Sequence, residues 1–140
     1  MDIRDIRFPA AWLAPSDVER VRLLLAQSAC EWPMARDFTG AHIHELLEEW
    51  QHITSTDWPP DHDSLQYEYD LESRALLQLV LEASCSETRV RLSAVLAPID
   101  AQFRSRMSPL TTVRPVGRLP LAEGPYFWET HTTHPLELRS

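Results

Sequence analysis

The chain has 140 residues, 44% of them apolar and 24% charged, with a formal net charge of −8. This is the composition of one globular domain, able to bury roughly 70% of the surface its unfolded form exposes, so neither disulfides nor a structural metal is required for folding. All 13 basic residues are Arg and Gly occurs three times, which excludes the lysine of a P-loop, a Schiff-base lysine, glycine-rich phosphate loops and the nucleophile elbow.

The chain opens with charged residues, Met1 to Arg7, and lacks the apolar stretch of a signal peptide there. Ile3, Ile6, Phe8 and Trp12 are weakly patterned and are read as an N-terminal arm packed on the domain. The first helix is expected from Ser16. Ser16-Asp17-Val18-Glu19 has the form of a capping box, and Val18, Val21, Leu24, Leu25 and Ala29 recur at helical spacing. Trp32-Pro33 disfavours helix beyond about Cys30.

A second helix is predicted from about Gly40 to Ile53, with Thr39 as its N-cap. Ile43, Leu46, Leu47, Trp50 and Ile53 form one apolar stripe. The run from Thr54 to Asp63 reads as a loop, because Pro59 and Pro60 end any regular element. Leu65, Tyr67, Tyr69 and Leu71 alternate with polar residues at strand period, but no partner strand is evident. With Ala75, Leu76, Leu79, Val80 and Ala83 following Leu71 at helical spacing, a helix from Asp63 or Ser64 to Ala83 is the preferred reading.

Ser84-Cys85-Ser86-Glu87 is a second capping-box pattern, followed by Leu92, Val95, Leu96, Ile99, Phe103 and Met107 on one stripe. Pro98 predicts a kink or a split in that helix. Asp100 and Arg104 read as an i, i+4 ion pair. Five of the eleven prolines lie in residues 108–140, so this tail is expected to be irregular, anchored by docking of Tyr126, Phe127 and Trp128 on the helices. The fold expectation is therefore all-α: a compact bundle of about four helices in a single domain, residues 1–140. Its helical core spans about 16–107, and the Pro-rich irregular tail, 108–140, packs on it.

Three clusters carry possible chemistry. His44, Glu48 and His52 repeat at i, i+4, i+8, and Glu49-Trp-Gln-His52 has the Glu-x-x-His spacing of carboxylate-bridged metal bundles. The apolar stripe occupies the opposite side of that helix, so these groups are expected to face water, where bundle ligands face inward. Glu129, His131 and His134 could supply further ligands from the tail. Asp57, Asp61 and Asp63 surround Trp58 in a stiff double-proline loop that lacks the glycine and terminal glutamate of an EF-hand. The loop fits a contact surface, with Trp58 as its aromatic anchor. Cys30 and Cys85 form no Cys-x-x-Cys motif and read as buried thiols.

Charge is distributed unevenly. Residues 37–72 hold ten acids (Asp37, Glu45, Glu48, Glu49, Asp57, Asp61, Asp63, Glu68, Asp70 and Glu72) and no Arg, a local sum of −10 against +2 for the rest. Such a stretch repels phosphate backbones and anionic lipid and favours a basic protein partner. The leading functional expectation is a non-enzymatic acidic binding protein that engages and neutralises a basic protein partner, without cofactor, nucleic acid or membrane. Its contact residues would be Glu45, Glu48, Glu49, Asp57, Trp58, Asp61 and Asp63. In charge and size alone this is similar to small acidic helical inhibitors and nuclease immunity proteins; no family motif is matched. The alternatives are a metal-dependent hydrolase using the His/carboxylate groups, and a structural subunit whose acids are neutralised internally by Arg89, Arg91, Arg104 and Arg106. The missing signal sequence and membrane span point to the cytoplasm. The lack of both Lys and Asn, whose codons begin AA, points to a GC-rich bacterial genome.

Overall fold

The computed structural model of the chain describes residues 13–27, 37–55, 64–106, 108–109, 126 and 131–132. Four helices, α1 (Pro15–Ala26), α2 (Ala41–Ser55), α3 (Ser64–Ala83) and α4 (Ser86–Arg106), make the expected all-α bundle. After α4, a two-residue antiparallel ladder joins β1 (Ser108–Pro109) to β2 (His131–Thr132).

Helix α1 begins two residues earlier than its capping-box pattern implies. Pro15 takes the first helical position, where its missing N–H costs nothing, and extended Ala14 is the N-cap. The Ala14 carbonyl accepts from the Asp17 and Val18 amides at 2.9 and 3.1 Å. Ser16 therefore lies inside the helix and exposed, no side-chain cap forms, and Asp17 turns into the protein. Val21 and Leu25 are buried, with Val18 and Leu24 half-buried beside them. The helix ends at Ala26; Ala29 and Cys30 lie outside the described residues.

Helix α2 follows its stripe: Ile43, Leu46, Leu47, Trp50 and Ile53 are all buried. Each such side chain contributes about 1.5–3 kcal/mol relative to an exposed one. Its start is a variant of the capping box in which histidine replaces glutamate. The Thr39 amide donates to His42 Nδ1 at 3.0 Å, the His42 amide donates to the Thr39 carbonyl at 3.1 Å, and the imidazole stacks on buried Phe38.

The strand-like alternation between residues 64 and 71 is helical, and α3 runs unbroken through it for 20 residues. From Leu71 onward almost every position is buried, including Leu77 and Leu81, which lie off the anticipated stripe. The reason is topological: α3 packs against α1, α2 and α4, so it has no broad solvent face.

The α3–α4 junction departs from its sequence pattern. The Ser84 hydroxyl donates back to the Val80 carbonyl at 2.6 Å, closing α3, and Glu87 pairs with Arg91 on the surface at 2.7 Å. The second capping box is therefore not made. The turn is held instead by side-chain bonds from near and far in the chain. Arg20 donates to the Ala83 carbonyl at 2.7 Å, and Arg89 donates to the carbonyls of Leu81 and Ser84 at 3.0 and 3.1 Å. The Cys85 amide donates to Asp17 at 3.1 Å. Asp17 also accepts from Arg20. Cys85 itself is exposed, contrary to its reading as a buried thiol.

Helix α4 passes through Pro98 without the anticipated split, the proline standing exposed on the solvent side. Its buried face is Leu92, Leu96, Ile99 and Phe103, with Phe103 against Trp50 at a ring-centroid distance of 5.1 Å. Tyr126 packs on this core as anticipated; Phe127 and Trp128 lie outside the described residues.

Candidate functional site

The solvent side of α2 is acidic. Glu45, Glu48 and Glu49 are exposed, opposite the buried stripe on the same helix. Helical spacing places Glu45, Glu48 and Glu49 together, since residues three and four apart are neighbours on the surface. His44 Nδ1 lies 3.5 Å from Glu48 Oε1, while His52 is exposed one turn beyond Glu48. Anchoring is rigid, because Leu46, Leu47 and Trp50 between these acids are completely buried. Asp57, Trp58, Asp61 and Asp63 lie outside the described residues.

Among the described residues, four arginines of α3 and α4 have partners away from the acids of α2. Arg89 binds backbone carbonyls, Arg91 pairs with Glu87, and Arg106 donates to the Thr54 carbonyl. Arg74 forms a buried pair with Asp100. Among the described residues, neither Glu45 nor Glu48 is bonded to an arginine.

A second constellation is internal. Asp100 does not pair with Arg104 across the helix surface. It turns inward, 7% exposed, and is gripped by Arg74, which is 4% exposed. Arg74 Nε donates to Asp100 Oδ1 at 2.9 Å and Nη2 to Oδ2 at 3.1 Å, a two-pronged geometry that also fixes the guanidinium plane. The Trp50 indole N–H donates to the same Oδ1 at 2.9 Å. The line then continues along α3. Arg74 Nη1 donates to Gln78 Oε1 at 3.2 Å, and Gln78 Nε2 donates to Glu82 Oε2 at 3.1 Å. The Tyr126 hydroxyl donates to that same Glu82 oxygen at 2.7 Å. Six polar side chains thus run from α2, through α4 and α3, to the segment beyond the bundle.

Asp17 is a second buried carboxylate, 0% exposed, joining α1 to the start of α4. Its Oδ1 takes both bonds, and Oδ2 has no partner. Among the described residues, no group of three His, Cys, Asp or Glu is arranged to hold a metal ion. Glu129 and His134 lie outside those residues, and of His131 only the backbone pairing in β2 is described. Nor is any described helix long and apolar enough to cross a membrane.

One member of the buried line was detectable in the sequence. Asp100 falls four residues after Leu96 and three before Phe103, so it stands on the apolar stripe of α4. Arg74 lies off the anticipated stripe of α3 and carries no such mark; it is buried because α3 packs against three neighbours. A charged residue on an apolar face is the signature of an internal partner. No family model matches the chain, and no curated protein or solved structure does either.

Proposed function

We propose that the protein is a non-enzymatic acidic binding protein that engages and neutralises a basic protein partner, in the manner of an inhibitor or immunity protein. The observation that supports this is the three-glutamate face of α2, exposed on a helix whose other side is locked in the core. It lies within the only stretch of the sequence that is strongly one-signed, and Asp57, Asp61, Asp63 and Trp58 extend it in sequence. A fixed anionic surface attracts a cationic one at long range and speeds its association, while a central aromatic gives residence time. The composition, with Arg in place of Lys throughout, supports a bacterial setting, and a cytoplasmic location is part of the proposal.

The test is affinity capture on the full chain, followed by binding kinetics with the captured partner. The partner is expected to be basic, and its association rate to fall steeply with added salt. Replacing Glu45, Glu48 and Glu49 by Gln, together with Asp61 and Asp63 by Asn, should slow association and flatten the salt dependence. Unchanged affinity in that variant would overturn the proposal.

A further inference from the structure

We infer that the line Trp50–Asp100–Arg74–Gln78–Glu82–Tyr126 is a mechanical coupling device, reporting the Tyr126 contact on α3 to the indole of α2. The geometry makes each link depend on its neighbours. Gln78 stands between a guanidinium and a carboxylate, so its amide has one useful orientation: oxygen toward Arg74, nitrogen toward Glu82. Arg74 spends Nε and Nη2 on Asp100 and Nη1 on Gln78. Because the guanidinium is planar and rigid, it cannot tilt to follow Gln78 without changing its two bonds to Asp100. Asp100 Oδ1 is shared by Arg74 and Trp50, so a tilt of Arg74 redirects the acceptor of the indole N–H. At the far end, Glu82 Oε2 is shared by Gln78 and Tyr126. Loss of the tyrosine hydroxyl removes one restraint on Glu82, and the change passes inward through groups held by both neighbours. Much of this path is buried, where hydrogen-bonded chains polarise one another more strongly than in water.

Trp50 lies next to Glu49 on α2, so the coupling reaches the helix that carries the acidic face. What the coupling serves rests on the proposed partner binding. Its existence does not, and the test uses no partner, so the two can fail separately.

The measurement is hydrogen exchange of the Trp50 indole N–H in the full chain, followed by heteronuclear NMR and assigned from the peak lost in Trp50→Phe. Tyr126→Phe deletes one oxygen. It is expected to speed Trp50 exchange about 3- to 10-fold, the range for coupling through a packed polar network. Gln78→Met cuts the line in the middle and should give an effect of similar size. The double variant should show no more than the larger single effect, because the line is already cut. Val95→Ala, half-buried on α4 and outside the line, serves as the control for general loosening. If Tyr126→Phe leaves the indole no faster than Val95→Ala does, or if the two line variants add fully, the coupling does not exist.

Discussion

Replacing Asp100 by Leu should be among the most damaging single changes available in this chain, and replacing Arg74 by Met in the same molecule should rescue most of the loss. The side chains of Arg74 and Asp100 are 5% and 11% exposed, so the single variant leaves a guanidinium in the core with Gln78 as its remaining partner along the line. Removing one member of a buried pair costs about 3–5 kcal/mol. The indole N–H of Trp50 also loses its acceptor, and an unsatisfied buried donor costs about 1–3 kcal/mol. These penalties overlap, since both arise from the same site, and about 4 kcal/mol is the expected total. Against a typical stability of about 5–15 kcal/mol, that is a quarter to most of what holds the fold.

In Arg74→Met/Asp100→Leu the stranded charge is gone, and apolar replacement of buried pairs is often neutral or stabilising. The indole remains unsatisfied, so the double variant should fall within about 2 kcal/mol of the parent. Urea denaturation followed by far-ultraviolet circular dichroism gives both numbers. Asp100→Asn, which keeps the volume, checks that Leu is not simply too large. A double variant as unstable as Asp100→Leu alone would refute the reasoning, because the damage would then come from lost shape rather than from a buried guanidinium deprived of its carboxylate.

Leu46→Ala, at a position with no exposure, should cost about 2–5 kcal/mol in the same assay, whereas Leu23→Ala, at 57% exposure, should stay within about 0.5 kcal/mol. Asp17→Ala should cost about 1–2 kcal/mol by removing the acceptor of the Cys85 amide at the start of α4, and Asp17→Asn should retain part of that; thermal melts distinguish them. His42→Ala should cost about 0.5–1 kcal/mol through loss of the acceptor for the Thr39 amide, with Gln at this position recovering some of it, as judged by urea midpoints. Pro98→Ala should raise the melting temperature, because it restores a backbone donor inside an unbroken helix at an exposed position.

Helix identity was legible wherever apolar spacing was regular. Every residue of the α2 stripe is buried, with Thr54 in addition, and Leu71 to Ala83 overrode the strand-like alternation before it. Helix ends were legible less well, because a capping-box pattern records only local options. Ser84 and Ser16 each sit in such a pattern, yet α1 is started by Ala14 and Pro15, and the α3–α4 junction is held by Arg89 nearby and by Arg20 and Asp17 from far away in sequence. The same limit hid the partner of Asp100. Arg104 is one turn away along the chain, whereas Arg74 is 26 residues earlier and is brought near only by the crossing of α3 and α4. For the acidic face, composition gave the charge and the stripe gave its direction, so the exposure of Glu45, Glu48 and Glu49 came from period alone.

The near-complete burial of α3 from Leu71 onward has a consequence for biosynthesis. A helix that packs against three neighbours has little to hold it alone in water and needs walls before it can settle. During translation α1 and α2 emerge first, so the incoming central rod meets two of its walls already made, and α4 arrives last to shut the remaining side. A ribosome stalled just after Ala83 would hold a nascent chain with one open flank, and that interval is when a chaperone is most needed.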